Sequence, residues 1–407
     1  MLVRTSKWIR IPLVNLMIVS IAGVILRYKI AFSLPIIQQK YLLHGHSHFA
    51  FAGWLSQVLM YLLIRQLQHQ PQAEIEKRYR WLLYLNLFSA YGMLVSFILQ
   101  GYALFSIAFS TLSIFVSYFF AFYYWKDLNR QTVKKKGYLW FKAAVFFNAF
   151  SSIGAFSLAF MMAAKVMNQQ WYLAAIYFFL HFQYNGWFFF ACMGLLMLSL
   201  EPYIQSPGIL KKVFVLFTAS CIPAYFLSAL WLPLPSYVYA IVVIAALSQI
   251  IGWAVLINLI KRDNPFQEQI SNKSKWLFTL SAFALSIKLV LQLASVIPSL
   301  SQLAFGFRPI VIGYLHLVLL GVITIFIIAY LVNYHYLQFN RNTKNGILVF
   351  VVGVILNEVL LMIQGICDLG YWSIPYINES LLLAALVMFS GLSWLNIGYF
   401  SGKNELR

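Results

Sequence analysis

The residues of this 407-residue chain best suited to chemistry are its seven histidines, five of which fall in apolar sequence: His44, His46 and His48 in one short segment, then His181 and His316. His69 and His335 lie at polar edges of the apolar stretches. A neutral imidazole offers a lone pair to a metal or haem iron. An ionisable side chain inside a membrane is expensive enough to mark function. Three of the five head a repeated pattern: His48-Phe-Ala-Phe-Ala-Gly53, His181-Phe-Gln-Tyr-Asn-Gly186 and His316-Leu-Val-Leu-Leu-Gly321, separated by 133 and 135 residues. Glycine five positions after the histidine leaves the helix surface bare, so that a flat macrocycle can approach the backbone. Histidines that hydrogen-bond between helices, with glycines that permit close packing, produce the same pattern. The segment His44-Gly-His46-Ser-His48 is also a candidate copper or zinc site, because imidazole clusters suit copper. At about 100° per residue His44 and His48 share a helix face and His46 points nearly opposite. His48 alone matches the repeat and is the preferred ligand; His46 comes second.

The elements that carry these residues must be membrane helices. The composition is 62% hydrophobic and 10% charged with mean hydropathy +0.79, against about half apolar and a quarter charged in soluble domains, which excludes a soluble protein. Apolar windows at about 9–27, 43–65, 79–99, 102–124, 138–161, 172–200, 211–232, 236–260, 276–297, 309–333, 346–367 and 379–400 predict twelve transmembrane helices. The first window reads as a retained helix, not a cleaved signal peptide. Of 29 Lys and Arg residues, 23 fall on the side of the termini and the even-to-odd loops, Arg4, Lys403 and Arg407 among them. Arg27, Lys29, Lys40, Lys165 and Arg308 fall on the other side, and Lys288 lies within a span. This asymmetry predicts cytoplasmic termini in a bacterial-type inner membrane. It also reads the net charge of +19 as orientation, with no nucleic-acid partner. Cys192, Cys221 and Cys367 stand singly in apolar spans and carry no redox inference.

The histidines mark spans 2, 6 and 10, so the chain divides into three four-helix repeats of a single membrane domain, approximately 1–137, 138–272 and 273–407. The expected architecture is all-α, with three arcs around a pseudo-threefold axis. Lys288 in span 9 and Glu358 in span 11 each lie about twelve residues from the ends of their spans. Equal depth predicts an ion pair, or alternatively a proton path with Glu358 as relay.

Twelve spans, three four-helix repeats and histidines on helices 2, 6 and 10 make the chain resemble, over its full length, the heme-copper oxidase subunit I superfamily, which includes cytochrome c and quinol oxidases and nitric oxide reductase. The resemblance implies a low-spin haem between a helix-2 histidine, within His44 to His48, and His316. The position of the high-spin haem ligand is Tyr314, and His181 matches the helix-6 metal ligand. The family's adjacent histidine pair on helix 7 has no counterpart here, so the copper centre is incomplete. The implied cofactor is one low-spin haem, b-like, with an electron donor or partner subunit, working in electron transfer or in haem or gas response. Arg308, just before His316, is either a partner for a haem propionate or an ordinary interfacial anchor. Gln183, Tyr184 and Asn185 either line the vacated metal pocket or bond between helices. Two other readings remain open: a twelve-helix transporter, for which helices broken by Gly or Pro in matching halves are the diagnostic feature, and a structural subunit whose histidines pack.

Overall fold

The computed structural model describes residues 7–300 and 307–401; Arg4, Lys403 and Arg407 lie outside them. Among the described residues every element is helical. Eleven helices are long and apolar enough to cross a bilayer: α1 (Lys7–Ala31), α2 (Gln39–Ile64), α3 (Gln72–Gln100), α4 (Leu104–Asn129), α5 (Gly137–Ala163), α6 (Gln169–Tyr203), α8 (Ser236–Asp263), α9 (Asn272–Ala294), α10 (Arg308–Asn333), α11 (Arg341–Leu369) and α12 (Ile377–Tyr399). The seventh apolar window is a broken element, α7, made of Pro207–Cys221 and Pro223–Ala229 with a bend of 46°. Pro223 has no N–H to give to the preceding turn, which is the common cause of such a bend. The protein is therefore an all-α, multi-pass membrane protein. Several helices outrun their apolar windows, as α3 does by starting at Gln72 after Pro71, because polar residues continue a helix into the interfacial region.

α2, α6 and α10 stand apart from the rest. Each buries 72% of its apolar window inside the protein, whereas the other eight unbroken spans bury between 17% and 50%. Each also switches from α- to π-helical winding directly after its histidine motif begins: at Ala50–Ser56, Phe182–Phe188 and Leu317–Thr324. A π turn bonds i to i+5 and leaves a carbonyl without its ordinary partner. In hydrocarbon that carbonyl must be met by another protein group. Asn15 Nδ2 on α1 donates to Gly53 O at 2.6 Å, Asn86 Nδ2 on α3 donates to Ala52 O at 2.9 Å, and Ser281 Oγ on α9 donates to Val322 O at 2.8 Å. Asn15, Asn148 and Ser281 recur at intervals of 133 residues, and Asn148 Oδ1 accepts from Gln183 Nε2 in the π turn of α6 at 3.0 Å.

The inner helices are tied to one another in the same register. Trp187, six residues after His181, donates through Nε1 to Ser56 Oγ on α2 at 3.1 Å. Trp54, six residues after His48, donates to Thr324 Oγ1 on α10 at 3.0 Å. Both acceptors lie eight residues after their own histidines. The third position of this cycle holds Val322 and Phe189, which have no polar side chain to continue it.

The side of the membrane that carries most of the basic residues is closed by a buried acid. Asp127, 2% exposed, accepts from Tyr79 OH at 2.7 Å and pairs with Arg78 at 2.8 Å and Arg130 at 3.5 Å. His69 in the α2–α3 loop lies beside it, its Nε2 3.1 Å from Arg78 Nη2 and its Nδ1 2.8 Å from Gln131 Nε2. Burial lowers the His69 pKa, outweighing the upward pull of Asp127. A histidine depressed in the folded state takes up its proton more readily when unfolded, so its contribution to stability is complete above about pH 6.5 and is lost as pH falls below that value. His69→Gln is expected to show a smaller fall in melting temperature between pH 7 and pH 5 than the wild type. Trp54→Phe and Trp187→Phe, which delete one interhelical bond each, should each lower stability by about 1 kcal/mol, read as a drop in melting temperature in detergent.

Candidate functional site

His46 and His316 are held alike. His46 Nδ1 lies 3.0 Å from the carbonyl of Val19 on α1, and His316 Nδ1 lies 2.8 Å from the carbonyl of Ile312 one turn earlier. A carbonyl can only accept, so each Nδ1 carries the proton and each Nε2 keeps its lone pair. Neither Nε2 has a hydrogen-bond partner among the described residues. The two rings lie within electrostatic range of each other and of Arg27 on α1. Arg27 is in turn within range of Arg308 and of Glu358, whose Oε1 accepts from Asn357 Nδ2 at 3.1 Å. Arg27 is thus within electrostatic range of two imidazoles, a second guanidinium and a carboxylate.

His44 and His48 turn the other way, as the helical spacing requires. His48 stacks on Phe97 with centroids 4.5 Å apart, and its Nε2 lies 3.3 Å from Tyr102 OH. His44 meets the edge of Tyr102 at 4.7 Å. His48, the residue that matches the repeat, faces α3 and the turn after it, while His46 shares its surroundings with His316. The three imidazoles of the segment therefore point to two different sides of α2. Among the described residues no three His, Cys, Asp or Glu side chains form a metal-binding group.

The repeated glycines have a packing task in place of the expected bare surface. A Cβ on Gly53 would stand 2.7 Å from the Phe49 ring, one on Gly186 would stand 2.6 Å from Phe147 Cβ, and one on Gly321 would stand 3.3 Å from Ala284 Cβ.

His181 anchors a second polar cluster. Its Nε2 lies 2.9 Å from the Cys221 carbonyl at the break in α7, and its Nδ1 accepts from Asn185 Nδ2 at 3.1 Å. Both ring nitrogens are engaged, so this histidine links α6 to α7. Gln183 reaches Asn148 and Ser151 on α5, at 3.0 and 2.8 Å. Tyr184 stands between His181 and Tyr314, with centroids 6.4 and 6.3 Å away.

Lys288 belongs to this second cluster. It is 5% exposed and lies within electrostatic range of Cys221 and His181, whereas Glu358 faces Arg27 and Asn357. The expected Lys288–Glu358 ion pair is not formed. Equal depth along two helices carries no angular information, and the two side chains point into different clusters on α9 and α11.

No protein-family model matches the chain, and no curated protein matches it.

If the first cluster held a metal-containing group, His46 Nε2 and His316 Nε2 would be the available ligand atoms, and Arg27 and Arg308 would be the cations placed to meet acidic substituents. Arg27 was visible in the sequence only as one of five basic residues on its side of the membrane; its basic type inside a predicted helix end was the available signal. The Val19 and Cys221 carbonyls left no sequence signal, since backbone acceptors carry none. Lys288→Met tests the placement of the lysine. Removal of a buried ammonium that has no carboxylate partner should leave the protein as stable or up to about 2 kcal/mol more stable, whereas a true buried pair would lose about 3–5 kcal/mol. Thermal unfolding in detergent distinguishes the two.

Proposed function

We propose that the chain is a haem-binding electron-transfer protein of the heme-copper oxidase subunit I type, holding one low-spin, b-like haem between His46 and His316. The observation that carries this reading is the matched state of those two rings: each has its proton fixed on Nδ1 by a backbone carbonyl, a free Nε2, and a share in the surroundings of Arg27. That is the outer-sphere arrangement which orients a histidine for iron. When bound, a bis-imidazole haem supplies one-electron transfer with no open coordination position. The protein's own residues fix the imidazole tautomers, neutralise the propionates through Arg27 and Arg308, and keep the site in hydrocarbon.

Three features support the subunit I architecture, with four-helix arcs around a pseudo-threefold axis. The π turns fall on α2, α6 and α10; those helices are the most buried; and the Trp-to-hydroxyl bonds between them keep one register. The charge asymmetry supports an orientation with cytoplasmic termini in a bacterial-type inner membrane. A complete copper centre is not part of the proposal, because both nitrogens of His181 are engaged and α7 contains no histidine. One observation favours the transporter reading, namely the break in α7; its counterpart in a two-half arrangement, α1, runs as one helix over Lys7–Ala31.

Absorbance of the protein purified from haem-replete cells tests the proposal. Dithionite should produce a sharp Soret shift with narrow visible bands. His46→Ala and His316→Ala should abolish them, and His48→Ala should retain them. A colourless wild type, or loss of the bands in His48→Ala with retention in His46→Ala, overturns it.

A further inference from the structure

We propose that the membrane-facing groove between α4 and α5, at the side of the protein richest in basic residues, binds one anionic glycerophospholipid. The inference is independent of the haem. The groove has a volume of about 470 Å³, with Ala121, Val145 and Ala149 among its floor residues and the aromatic walls Phe122, Trp125 and Phe146. Buried Val145 with exposed Phe122, Trp125 and Phe146 makes this an apolar surface suited to acyl chains. Its mouth is cationic. Lys126 and Asn129 line it, and Asn129 gathers two further lysines: its Oδ1 accepts from Lys142 Nζ at 2.7 Å and its backbone carbonyl accepts from Lys134 Nζ at 2.7 Å. Lys142 Nζ also stands 5.3 Å from the centroid of the Trp125 ring, a contact that anchors both side chains at headgroup level.

No Asp or Glu lines the groove, and Asp127, the nearest acid in sequence, is turned inward onto Tyr79, Arg78 and Arg130. Three ammonium groups around one opening repel one another unless an anion joins them. A phosphodiester at the interface, with its acyl chains in the groove below, meets both the cationic mouth and the apolar floor. A zwitterionic lipid brings its own cation to the same place, so the site should select phosphatidylglycerol over phosphatidylcholine. Basic pockets between helices on the cytoplasmic side are the usual form of such recognition.

Native mass spectrometry of the full-length protein in detergent, titrated separately with phosphatidylglycerol, phosphatidylcholine and inorganic phosphate, tests this. Phosphatidylglycerol should add one tightly held molecule, and the other two should bind at least about tenfold more weakly. Each lysine near an anionic headgroup contributes roughly a fivefold factor, so combining Lys126→Gln, Lys134→Gln and Lys142→Gln should weaken the first phosphatidylglycerol by on the order of 100-fold. The same change at Lys211, Lys212 and Lys261 should leave it unaltered. Ala149→Trp, which fills the groove and keeps the lysines, should also lose the tight molecule, and it serves if the triple variant fails to fold. Equal binding of the two lipids by the wild type, equal binding of inorganic phosphate, or an undiminished preference in Ala149→Trp would overturn the proposal.

Discussion

A backbone carbonyl that loses its helical partner inside a bilayer has no water to turn to, and each such group left unmet costs several kcal/mol. The three π turns of α2, α6 and α10 release such carbonyls at the centre of the protein. Asn15, Asn86 and Ser281 each reach across from a flanking helix to a carbonyl within the π turns of α2 and α10, which ties α1, α3 and α9 to them. Trp54 and Trp187 then fix how the three inner helices sit against one another.

The same constraint prepares the imidazoles. A histidine in hydrocarbon must place its proton on an acceptor, and the acceptor decides which nitrogen remains a base. For His46 and His316 the acceptors are the carbonyls of Val19 and Ile312, and Nε2 remains free. For His181 the acceptor is the Cys221 carbonyl exposed by the bend of α7, and Asn185 takes up the other nitrogen. The difference between a ring with a free Nε2 and a tie between helices therefore rests on local backbone geometry, although all three residues stand on comparable inner helices.

Much of this was legible in the sequence. The apolar windows located the eleven unbroken candidate spans and the broken element α7, because ~20 residues of hydrocarbon-compatible sequence have few alternatives. The recurrence of His48, His181 and His316 marked the three helices that prove to be most buried and π-wound. Helical spacing also separated His46 from His44 and His48. What spacing alone could not reveal was which of those faces meets α10, so repeat matching favoured His48. The π turns, the bend after Cys221 and the partners of Lys288 and Glu358 depend on rotation of helices far apart in sequence. The glycines were legible as a motif but not in purpose, since close packing and a bare surface need the same residue.

The central claim, one haem ligated by His46 and His316, is tested most directly by electron paramagnetic resonance of the oxidised protein at low temperature. The account predicts a single low-spin ferric signal of bis-imidazole type, integrating to one haem per chain, that turns high-spin when either histidine is replaced by glycine and returns when free imidazole is added. A high-spin signal in the wild type, or a low-spin signal untouched by the His46→Gly change, would contradict it.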